Sequence, residues 1–100
     1  MSQSSRTCLG AGGFLWNNSY INNSVDLDNA KKKGGYLILA SAAIPILGSN
    51  GGILIVTTTL NYILQVVFSL GDKSSVFYRT LNSSGVWRNW FKIDTIKIVD

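Results

Sequence analysis

The sequence predicts an all-β fold: a small antiparallel sandwich or strongly curled sheet, preceded by a flexible N-terminal tether. Three observations predict it. Short runs rich in β-branched and aromatic residues follow one another from Tyr36 onward, and clusters of Gly, Asn and Ser separate them. The links between runs are also too short for parallel crossovers, which need roughly a dozen residues or more.

Residues 1–24 are dominated by Ser, Asn and Gly, with Phe14, Leu15, Trp16, Tyr20 and Ile21 as the available apolar anchors, and read as the tether. Residues 25–100 read as the β domain. From Val25 to Ala30 the sequence predicts a helical turn capped by Asp26 or Asp28, running through Lys31-Lys32-Lys33 and ending at Gly34-Gly35. The predicted strands are Tyr36 to Ala40, Ile53 to Thr59, Tyr62 to Phe68, Ser75 to Thr80, Val86 to Ile93 and Thr95 to Val99. Their turns come from Gly48 to Gly52, from Gly71-Asp72-Lys73-Ser74 and from Asn82-Ser83-Ser84-Gly85.

Composition narrows the function. Hydrophobic residues make up 46% of the chain and charged residues 14%, against roughly 25% charged in an ordinary soluble domain. No charge occurs between Lys33 and Asp72, so that middle segment must be hidden in a core, between subunits or in lipid. Tyr36 to Leu47 reaches only about half the roughly 20 residues of a spanning helix and is interrupted by Pro45. Ile53 to Leu70 is long enough but carries Thr57, Thr58, Thr59, Asn61, Gln65 and Ser69, and its β-branched first half reads as strand. A small membrane-associated protein using residues 34–71 is the alternative reading.

Catalytic chemistry is thin. The chain has no His and no Glu, and its carboxylates show no convincing pair, so no enzymatic activity is expected. Asp26 and Asp28 share a spacing found in calcium loops, but the glycine and terminal glutamate of such a loop are missing. One Cys without His supplies neither a zinc site nor an internal disulfide. Gly10-Ala11-Gly12-Gly13 lacks the strand and the Gly-Lys-Ser/Thr of a phosphate loop. No cofactor and no metal are expected. A net charge of +4 comes from scattered basic residues with no basic stripe, so nucleic acid is not an expected partner. The N-terminus lacks a signal-peptide-like apolar stretch, and the sequons at Asn17, Asn22 and Asn82 read as turn and tether composition.

Tyr78, Arg79, Trp87 and Trp90 admit two roles. Flat aromatic faces beside guanidinium donors suit sugar rings, making these residues candidates for contact with a glycan. Large aromatics in a small β domain more commonly close the core, with an Arg stacked between rings, and this packing role is the favoured one.

The same residues carry a family resemblance. Asp26-Leu27-Asp28-Asn29, Gly35-Tyr36, Pro45, Gly52-x-Leu54-x-Val56, Gln65, Tyr78-Arg79-Thr80 and Trp87-x-x-Trp90-x-Lys92-Ile93 resemble the pyocin knob type of domain of phage and phage-like tail fibres, over roughly residues 25–93. Lys31-Lys32-Lys33 and Ala42-Ala43 depart from that pattern. The resemblance implies a homotrimeric β knob on a virion surface, in a head or tail fibre, that decorates the particle and aids adhesion to host surface glycans. A trimer would also hide the uncharged segment from Gly34 to Gly71 between copies. With a low-complexity start, Phe14, Leu15 and Trp16 are the expected contacts to a larger capsid or tail protein.

Overall fold

The computed structural model describes residue 16, residues 19–71, residues 75–93 and residue 98. Their centre is one antiparallel five-stranded sheet built as a meander, each strand pairing with the next: β1 (Gly34–Ile38), β2 (Gly52–Thr58), β3 (Ile63–Ser69), β4 (Val76–Leu81) and β5 (Phe91–Ile93). The all-β expectation holds as this single sheet. A second sheet is not formed among the described residues, and the expected strand from Thr95 to Val99 falls outside them apart from Ile98.

A short helix, α1 (Ser24–Asn29), precedes the sheet. Its cap is Asn23, not Asp26 or Asp28: the Asn23 side chain accepts the Asp26 amide at 2.8 Å, while the Asp26 carboxylate accepts the Asn22 amide at 3.0 Å. This reciprocal arrangement satisfies free amides at the helix start. The helix stops at Ala30, so the Lys run lies beyond it, and Gly34-Gly35 open β1 instead of closing the helix. Before the helix, Ile21 is buried and runs parallel to β1. Its amide donates to the Leu37 carbonyl at 2.9 Å and its carbonyl accepts from Leu39 at 3.1 Å.

Strand alternation divides the sheet into two faces. The register aligns Tyr36 with Leu54, Leu54 with Val67, Val56 with Gln65 and Gln65 with Arg79, all on one face. There Tyr36, Ile38, Leu54, Val56 and Val67 form one core with Leu27 and Ala30 of the helical segment and with Ala42, Ile44 and Leu47 of the β1–β2 connection. That connection contains a 3-10 turn at Ala40–Ala42. It returns tightly onto the sheet at Gly51, where a Cβ would lie 2.8 Å from the Ile38 carbonyl oxygen. Only glycine fits that approach.

The largest departure from expectation lies at the C-terminal end. Val86 to Ile93 is not one strand: Trp87 forms a single bridge to Leu81, and regular pairing resumes only at Phe91, opposite Tyr78. Asn82 organises the turn before it, its side-chain oxygen accepting the amides of Ser84 at 2.9 Å and Val86 at 3.2 Å, while Gly85 takes φ 80°, a conformation suited to glycine. Between the two pairings the outer segment holds three residues (88–90) against two on β4 (79–80), one extra residue as in a β-bulge.

Candidate functional site

That extra residue decides where the tryptophans go. Positions three apart in a regular strand point to opposite faces. Here Trp87 and Trp90 both reach Arg79, whose guanidinium carbon lies 4.1 Å from the Trp87 ring centroid and 4.4 Å from that of Trp90. The cation is packed against two indoles, a contact that strengthens as water is excluded.

Arg79 has two further partners. Its Nε donates to Gln65 Oε1 at 2.8 Å, and one terminal nitrogen donates to Asp28 Oδ1 at 2.8 Å. Arg79 is only 7% exposed, whereas the Asp28 side chain is 55% exposed, so the carboxylate stays hydrated while it neutralises the buried cation. Burial pushes the Arg79 guanidinium below the ordinary arginine value, and the hydrogen bond and charge of Asp28 draw it back up. It remains a cation at any physiological pH.

Gln65 extends the network to the helix. It is fully buried, and its amide nitrogen donates to the backbone oxygens of Leu27 at 2.7 Å and Ala30 at 3.0 Å. Those carbonyls sit at the helix C-terminus, where the helix has no further turn to continue its ladder; the Leu27 oxygen also accepts the Ala30 amide at 3.2 Å. The Trp87 indole N–H donates to the Asp28 backbone oxygen at 3.1 Å, so Asp28 is gripped through both its carboxylate and its carbonyl. A polar staple thus runs from the helix end through β3 and β4 to the two indoles.

The four residues weighed as glycan contacts are divided by the fold. Arg79, Trp87 and Trp90 form one cluster on the helix-covered face. Tyr78 stands on the other face, stacked on Phe91 with ring centroids 5.5 Å apart. The Arg79 guanidinium is packed against both indoles, while Arg88, Asn89 and Val86 line a shallow groove beside Trp87. Of the docking candidates, Trp16 is half exposed and bridges to Gly35 of β1, and Phe14 and Leu15 lie outside the described residues. Sequence reasoning read Asp28 as a helix cap. Its role as the anion for Arg79, 51 residues away, leaves no local signal beyond an Asp followed by a short helix end.

Among the described residues no group of three or more His, Cys, Asp or Glu gathers as a metal site, and no helix is long and apolar enough to cross a membrane. No protein-family model, curated protein or solved structure matches the chain.

Proposed function

We propose that this chain is a phage virion structural protein: a homotrimeric knob of the pyocin knob type, in a head fibre or tail fibre, that decorates the particle surface and aids adhesion to host glycans. One observation supports it above the others. Asp28, Gln65, Arg79, Trp87 and Trp90, which carry the resemblance from widely separated parts of the sequence, converge on a single hydrogen-bonded and stacked network. Motif residues that specify one three-dimensional device are better grounds for a family reading than motif residues scattered over a surface.

In this reading the network builds the knob, and adhesion uses the outward edges of Trp87 and Trp90 with the neighbouring Arg88 and Asn89. The Arg79 guanidinium, buried against both indoles, serves packing. The N-terminal segment, with Phe14, Leu15 and Trp16, joins the knob to a larger capsid or tail protein. Labelling of purified particles with an antibody to the chain tests the proposal. Regular decoration at one virion site is expected, lost when residues 1–16 are deleted, a cut that leaves Ile21 and the Asn23 cap in place. A full-length chain found in host membranes and missing from particles would sink it.

A further inference from the structure

The face of the sheet away from α1 is apolar across its whole width. The register places Ile53 beside Phe68, Ile55 beside Val66, Val66 beside Tyr78 and Tyr78 beside Phe91. Phe68 is 41% exposed, Phe91 53% and Ile93 46%, and no described element packs over them. The charged residues within the strands are Arg79 and Lys92, and the register sets both on the opposite face. Its polar residues, Thr57 and Thr80, flank Leu64 at one end.

We infer that this open face, extending from β1 to β5, is the surface by which copies of the chain pack against one another, an inference that rests on the trimeric knob reading. Charge selects the occupant: a partner bearing charges would lose their hydration against this face without gaining counter-charges. A second copy offers a surface that is equally flat, equally apolar and free of charge. Five strands about 4.8 Å apart and roughly five residues deep present on the order of 500 Å². That matches the largest apolar patches of single proteins, which are commonly functional. One face-to-face pair would bury only about 1,000 Å² in total, the lower limit for a stable interface, whereas three faces turned to a common axis bury about half as much again. Area therefore favours a closed trimer, and closure also prevents open-ended stacking.

The interface so assigned differs from one drawn from the uncharged stretch as a block. Leu54, Val56 and Val67 belong to that stretch but are committed to the monomer core, while Tyr78, Phe91 and Ile93 lie outside it and join the interface.

The test uses the purified full-length chain at micromolar concentration, with native mass spectrometry for assembly and far-UV circular dichroism for folding. Val66→Lys, at the centre of the face, should shift the assembly midpoint to at least about ten-fold higher concentration. Ser84→Lys, exposed in the β4–β5 turn, should leave it unchanged. Because Val66→Lys can fail to fold, Phe68→Cys in a Cys8→Ser background provides a second readout. Its alkylation should be slowed at least about ten-fold relative to Ser84→Cys when the chain is assembled, and should recover on dilution. An assembly that tolerates Val66→Lys and leaves Phe68→Cys freely alkylated would overturn this interface while leaving the trimeric knob reading intact. A folded monomer that decorates particles would overturn the interface and keep the virion role. A monomer that partitions onto lipid vesicles would overturn both.

Discussion

The two faces of the sheet solve burial in different ways. On the helix side, apolar residues alternate with two buried polar ones, Gln65 and Arg79, whose contacts are aimed: at the helix carbonyls, at Asp28, at the two indoles. On the open side there is breadth without direction, an apolar field with one stacked pair, Tyr78 on Phe91. Hydrophobic burial alone is tolerant of sliding and repacking. A hydrogen-bonded network in a dry setting penalises every arrangement but one, because a displaced partner leaves a polar group without water or protein. The staple therefore fixes where the short helix docks, while no described element fixes anything over the open face.

The sharpest way to break this contrast is to cut the staple at its most buried member. Gln65→Leu keeps volume but strands the Ala30 carbonyl and the Nε of Arg79, and leaves the Leu27 carbonyl only the Ala30 amide. It should cost about 3–5 kcal/mol. Chemical denaturation measures it, and a loss under about 1 kcal/mol would mean that the network is solvated and that packing alone seats the helix.

Neighbouring residues on β2 provide the next comparison. Leu54 is fully buried on the helix side and Ile55 faces the open side. Leu54→Ala should cost about 3 kcal/mol at every protein concentration. Ile55→Ala should cost about 1 kcal/mol or less in dilute solution, and more as concentration rises and copies associate. Equal, concentration-independent losses at the two positions would erase the difference between the faces.

The strands were legible because alternation and turn residues coincide, as in Ile53 to Thr59, whose boundaries moved by one residue. The helix start was legible in kind but not in detail, since Asn23, Asp26 and Asp28 are all competent caps and only the fold gives Asp28 to Arg79. The shared face of Trp87 and Trp90 was hidden for a geometric reason. Alternation assigns residues three apart to opposite faces, and the extra residue that reverses this sits in a stretch whose composition reads as plain strand. Gln65 stood out as a polar residue within an apolar run, yet which backbone oxygens it serves depends on a helix 35 and 38 residues earlier in the chain.

The smallest expected effect concerns the rim of the stapled face, where Tyr36 is buried with its hydroxyl donating to the Lys32 carbonyl at 2.7 Å. Burial raises its pKa above the ordinary 10.0, because the phenolate is poorly solvated there. The folded chain therefore holds this proton more tightly than the unfolded chain. The resulting stabilisation is present in full below about pH 10 and is lost as pH rises through the higher folded-state value. Tyr36→Phe keeps the ring in the core and removes the hydroxyl, so at neutral pH it should cost about 1 kcal/mol for the lost hydrogen bond. Above about pH 10 the gap between the two proteins should narrow, since only the parent must give up or bury a charge. Melting curves recorded from about pH 7 to 11 measure it. A parallel decline of parent and variant over that range would mean that the Tyr36 hydroxyl reaches water and that the stapled face is open at this rim.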